Sequence, residues 1–155
     1  MMQERHGSRE NFLVKFNPDL QIKLCQSSSE CYFGDYPTLS QIKLYGENTP
    51  TAWLIPQLYD LSEYCGCRDK LEGRPIEQCA SVIATEFFYL KVSEMMLFFH
   101  RFKSGRYGTF YGSVDPLVIT TALRKFIEER AVAYDKKERE DAIQKIEESR
   151  KESIT

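Results

Sequence analysis

The chain has 155 residues, of which 42% are apolar and 28% charged, with 8 Gly and 6 Pro. That is the size and make-up of one folded domain with a core of its own, and it excludes a disordered, collagen-like or low-complexity chain. The formal net charge is -2, so the chain as a whole has no electrostatic basis for binding polyanions, and only a local basic patch stays open as a route to them.

Residues 1–11 read as a flexible tail. In residues 12–24, Phe12, Val14 and Phe16 alternate with their neighbours, as do Leu20, Ile22 and Leu24 beyond Asn17-Pro18-Asp19. A period of two around a turn predicts a short β-hairpin, with an extended arm that orders against a partner as the alternative. Residues 25–36 read as loop.

Thr38 with Gln41 fits a capping box, Leu39, Ile42 and Tyr45 have helical spacing, and Gly46 is placed to end the helix. Thr49-Pro50 starts a second helix with Leu54, Leu58 and Leu61 inward and Trp53 beside them. Pro56 either kinks it or is its true start. Pro75 opens a third helix with Ile76, Ala80, Ile83, Phe87 and Leu90 on one face. A fourth begins near residues 91–93 with Val92, Met95, Met96 and Phe99, and no strong breaker separates it from the third. Asp115-Pro116 is an N-cap and first-position pair that opens a long helix with Ile119, Leu123, Phe126 and Ile127 inward.

Residues 135–155 are charged and mixed in sign, a helix extension or a disordered tail, in which Ala142 and Ile146 are the spaced apolar pair. Oligomerisation through this helix is one use for it. The expected architecture is mainly α: a compact bundle of about four to five helices in a single domain over residues 12–134, with the N-terminal hairpin or arm packed on it.

Five cysteines, Cys25, Cys31, Cys65, Cys67 and Cys79, cannot all pair within one chain. The polar N-terminus lacks a secretory pattern and no apolar run is long enough for a span. These features predict a cytoplasmic protein with reduced thiols and no membrane contact. Cys65-Gly66-Cys67 is a weak zinc candidate, because C-x-C is tighter than the usual knuckle and no second pair accompanies it. Small thiols at a helix end are the favoured account, and no cofactor is expected.

The most informative stretch is FFHRFKSGRYGTFYGSVDP, residues 98–116. Between Met95 and Val114 lie Arg101, Lys103 and Arg106 and no carboxylate, interleaved with aromatic residues that include Tyr107, Phe110 and Tyr111 and with Gly105, Gly108 and Gly112. Cations can meet phosphates or acidic side chains, rings can stack or anchor, and glycines let a backbone come close. The same residues serve equally as helix end, turn and packing. GRYGTFYG lacks the spacing of a phosphate-binding loop. Catalytic motifs are absent, and the one candidate acidic pair is Glu86 with Glu94, on one side if the third and fourth helices are continuous.

The stretch from residue 98 to 130, together with YGENTPTAWLIPQLYDLSEYCG at 45–66, resembles an uncharacterised family of small proteins from gut Bacteroidales and their phages and conjugative elements. The likeness runs from about Thr38 to Arg130. In layout the chain is also similar to small helical replication accessories of phages. This resemblance implies a non-enzymatic accessory of a mobile element that binds an unidentified protein partner. On this reading Arg101, Lys103, Arg106, Tyr107, Phe110 and Tyr111 form the contact surface. Single-stranded DNA or RNA on the same residues is the alternative, and a small enzyme with the acidic pair is the third.

Overall fold

In the computed structural model, which describes residues 2–154, the helix Val92–Lys103 is the hub, with nine of its twelve residues buried. A helix buried over most of its surface has to be covered by its neighbours, and the other elements do so. In chain order they are α1 Met2–His6, α2 Arg9–Lys15, α3 Leu20–Leu24, α4 Ser28–Phe33, a 3₁₀ turn Gln41–Tyr45, α5 Thr49–Cys65, α6 Gly73–Glu86, the hub α7 Val92–Lys103, and α8 Pro116–Ile154. Helices α3, α4 and α5 pack on α7, α6 packs on α5, and α8 crosses α4, α6 and α7.

This corrects the expected bundle of four to five helices with a hairpin. Eight α-helices form, and no strand does among the described residues, where the β pairing consists of isolated bridges at Thr38–Lys91 and Asp69–Ser113. Residues 12–24 are neither hairpin nor arm but helices α2 and α3 on either side of Asn17-Pro18-Asp19. Phe12 and Phe16 lie one helical turn apart, both buried, with ring centroids 4.8 Å apart. Spacing i, i+4 satisfies a period of two as well as one of 3.6, so a short run supports either reading. The residues that separate the two are Val14 and Ile22, which are 70% and 72% exposed, while Gln21 is buried. The stretch 25–36 also holds a helix, α4, capped by the Ser27 hydroxyl accepting from the Glu30 amide at 3.1 Å.

The N-terminal elements are tied to the core. The Phe16 carbonyl accepts from Trp53 Nε1 at 2.8 Å and Gln57 Nε2 at 3.2 Å, and the Tyr45 hydroxyl reaches the carbonyls of Met2 and Gly7. The Thr38–Gln41 capping box forms in both directions, at 2.9 and 3.1 Å, on a 3₁₀ turn in place of the expected α-helix. Helix α5 runs unbroken through Pro56, whose ring lies on the exposed face.

Helices α6 and α7 are separate. The chain turns at residues 87–91, where Leu39 and Ser40 amides donate to the Leu90 and Phe88 carbonyls. Glu86 is therefore exposed on one helix and Glu94 buried on the next, and the two do not form a shared acidic pair. Asp115 Oδ1 accepts from the Leu117 amide at 2.9 Å and starts α8. Beyond Tyr134 every described residue of α8 is exposed, so about 30 Å of helix stands clear of the core at 1.5 Å per residue.

Candidate functional site

Arg101 and Lys103 are two residues apart on α7 and so point to opposite sides of it. Arg101 faces α4 and α8. Its guanidinium donates to the Tyr32 hydroxyl at 2.6 Å and to Glu129 Oε1 at 3.2 Å, and it lies over the Tyr32 and Phe126 rings. Lys103 faces α3 and α5, where it donates to Gln21 Oε1 at 2.9 Å and pairs with Asp60. Arg106, half exposed, lies 3.4 Å from both oxygens of Glu129. All three cations of the stretch are thus engaged inside the molecule, by carboxylates distant in sequence.

The aromatic residues divide. Tyr107 is buried, its ring stacked on Phe98 and its hydroxyl donating to Glu129 Oε1 at 2.5 Å. Phe110 is half-buried and stacks on Phe102, with centroids 5.2 Å apart. Tyr111 stands 92% exposed.

The loop between α7 and α8 is held at its far end by Asp69, whose amide donates to Gly112 and whose carbonyl accepts from Val114 at 2.9 Å. Gly105 and Gly108 take φ of 84° and 111°, a region costly for residues with a Cβ. The space at both is open, so the demand for glycine is conformational. Between this loop and the end of α5 lies an open groove of about 420 Å³. Phe102 and Phe110 give it apolar walls, Lys103 lies along it, and Tyr64, Cys65 and Cys67 form the opposite side. The two features singled out in the sequence, the C-x-C and the glycine-aromatic loop, therefore face one another across one groove.

Burial raises the Cys65 thiol. Among the described residues no group of three or more His, Cys, Asp or Glu side chains gathers to hold a metal ion, and Cys65 with Cys67 has no third donor. Cys25 and Cys31 meet across the α3–α4 turn, where the hydrogen bond from Cys25 favours the thiolate at Cys31.

Behind the loop sits a polar cluster that the sequence reading missed. Glu94 is fully buried and takes Arg130 Nε at 2.6 Å, the Tyr134 hydroxyl at 2.9 Å and the Lys91 amide at 3.0 Å. Glu129 gathers Arg101, Arg106 and Tyr107. Both carboxylates join α7 to α8. The available signal was Glu94 itself, an acid inside the run Val92–Phe99, apolar but for Ser93, which a buried helix tolerates only with a partner. Arg130 and Tyr134, one turn apart, supply it.

Burial, first, and the neighbouring carboxylates raise the hydroxyls of Tyr107 and Tyr134, the latter to about 12. The folded state holds these protons above pH 10.0, the ordinary tyrosine value, while the unfolded chain releases them. Stability from this source is therefore complete below pH 10 and lost as pH rises toward 12. Urea midpoints should hold level to about pH 9 and fall above 10, and Tyr134→Phe should make that fall shallower.

Residues 74–155 match a family described as "Family of unknown function (DUF6633)". The chain belongs to this family. The DUF6633 segment takes in α6, α7, the loop and all of α8, including Glu94, Arg101, Glu129 and Arg130. It starts and ends later than the resemblance drawn from the sequence, so residues 38–73 fall outside it and the charged tail inside. No curated protein and no solved structure matches the chain.

Proposed function

We propose that the chain is a non-enzymatic accessory protein of a mobile element, serving its replication, and that it works by docking a protein partner in the groove beside the loop from Lys103 to Tyr111. The observation that carries the docking reading is the division of labour in the loop. Its cations are paired internally, whereas Tyr64 on the groove wall and Tyr111, next in the chain to the groove residue Phe110, are 63% and 92% exposed. Exposed tyrosines next to an apolar recess are the anchor type of protein interfaces. The replication setting rests on likeness of layout, an analogy of architecture.

Direct binding of single-stranded nucleic acid by the same residues is the second reading, supported by the half-exposed Arg106 and the open tyrosine rings. It requires phosphates to draw Arg101 and Lys103 out of existing pairs with Glu129 and Asp60, at a cost that protein anchoring on tyrosine does not meet.

Capture from host cells with Tyr64→Ala/Tyr111→Ala beside wild type tests the proposal. Both side chains are exposed, so the fold should be unaffected. The expected result is loss of the captured protein, and undiminished capture would sink the reading. Substituting Arg101, Lys103 and Arg106 is a poorer test, because it also breaks the bonds that hold the loop.

A further inference from the structure

We propose that His6 is an acid-sensitive latch: its neutral ring holds helix α1 on the core, and its protonation releases α1 and uncovers the aromatic pair Phe12 and Phe16. The ring stands edge-on to both, with centroids 5.9 and 5.8 Å away. Both of its nitrogens are shut off from water, and neither has a hydrogen-bond partner among the described residues. Buried polar atoms are almost always paired, so an imidazole with two orphaned nitrogens marks a weak point in the packing. The neutral ring leaves one N–H unanswered. The protonated ring leaves two, and brings a charge into the same apolar setting.

The charges around the ring work in the same direction. Arg5, on α1 itself, and Lys15, on α2, both oppose a proton there, while Asp35, ahead of the 3₁₀ turn, favours it. The 3₁₀ turn brings the neutral Tyr45 hydroxyl to this corner. Burial, first, and then the two cations hold the imidazole below its ordinary value of 6.5. The released helix takes up its proton near that value and the docked helix only at lower pH. Docking is therefore complete above 6.5 and weakens about tenfold per pH unit below it, until the docked ring titrates as well.

The joint lets α1 leave alone. A helix of five residues does not hold itself without contacts. Those of α1 are the buried Met2 side chain, the Tyr45 bonds to Met2 and Gly7, the Arg5–Asp35 pair and the His6 ring. The Arg5–Asp35 pair is solvent-exposed, a weak class of contact, so the docked state leans on the ring. Gly7 links α1 to α2 at a φ of 77°. Helix α2 has its own cap, the Ser8 hydroxyl accepting from the Asn11 amide at 3.1 Å, and keeps its start when α1 leaves. The latch shares no residue with the groove lining and is independent of the docking reading.

The test uses the full chain between about pH 7.5 and about pH 5, the range in which histidine side chains ordinarily titrate; the chain has two, His6 and His100. The His6 ring, followed by NMR, should titrate with a midpoint below 6.5. The Gly7 amide closes α1 by donating to the Gln3 carbonyl at 2.8 Å. Its protection against hydrogen exchange, corrected for the intrinsic pH dependence, should fall by about fivefold or more across the range. His6→Phe fills the place with a ring that takes no proton and should hold the protection level, and His100→Gln should leave the fall intact. A His6 midpoint at or above 6.5, level protection in the wild-type chain, or an equal fall in His6→Phe overturns the proposal. The midpoint is read on the wild-type chain and decides the matter even if a variant does not fold.

Discussion

Glu94→Ala is expected to be among the most destabilising single substitutions in this chain, at about 3 to 5 kcal/mol. The carboxylate is fully buried and receives Arg130, Tyr134 and the Lys91 amide. Removing it leaves the Arg130 guanidinium, mostly withdrawn from water, without an anion, and leaves the first turn of α7 uncapped. Tyr134 fares better, because its hydroxyl already lies 3.0 Å from the Tyr32 carbonyl and can donate there. Most of the loss therefore belongs to the stranded charge. The double change Glu94→Leu/Arg130→Met should recover most of the stability, since an apolar pair of similar volume needs no desolvated ion. Urea unfolding of the two variants distinguishes this account from simple loss of packing, which predicts no recovery.

Phe16→Ala is expected to cost about 3 to 5 kcal/mol, the range for a large aromatic removed from a packed core. Phe16 is 1% exposed and packs on Phe12, His6 and Tyr36, and its carbonyl anchors Trp53 and Gln57 of α5. An arm ordered only by a partner would make the same change nearly silent in the isolated chain. Equilibrium unfolding of the purified variant measures the difference.

The second half of the molecule was the more legible. The apolar face Ile76, Ala80 and Ile83 and the Asp115-Pro116 start lie where their spacing predicts, because longer helices repeat their signal over several turns, whereas α6 opens at Gly73, two residues before Pro75, and ends at Glu86, short of Phe87 and Leu90. Residues 12–36 were illegible for the opposite reason. Helices of five to seven residues such as α2, α3 and α4 complete too few turns to show a period, and Phe12 and Phe16 fit two periods at once. The break between α6 and α7 has no glycine or proline to announce it. It is fixed by backbone bonds to Leu39 and Ser40, fifty residues earlier, which local pattern cannot show.

The loop residues were legible by type but not by environment. Local sequence around Arg101, Lys103 and Arg106 contains no acid, and their partners Glu129 and Asp60 come from α8 and α5. Charge counted along the chain therefore overstated the free basic surface. What stays open is narrower: exposed Tyr111, and the groove lined by Tyr64 and Phe110.

A photo-crosslinking phenylalanine analogue in place of Tyr111, irradiated in host cells, tests the docking reading most directly. The account predicts one discrete protein adduct, lost when Tyr64→Ala is added. A nuclease-sensitive adduct, or none from a folded and expressed chain, would contradict it.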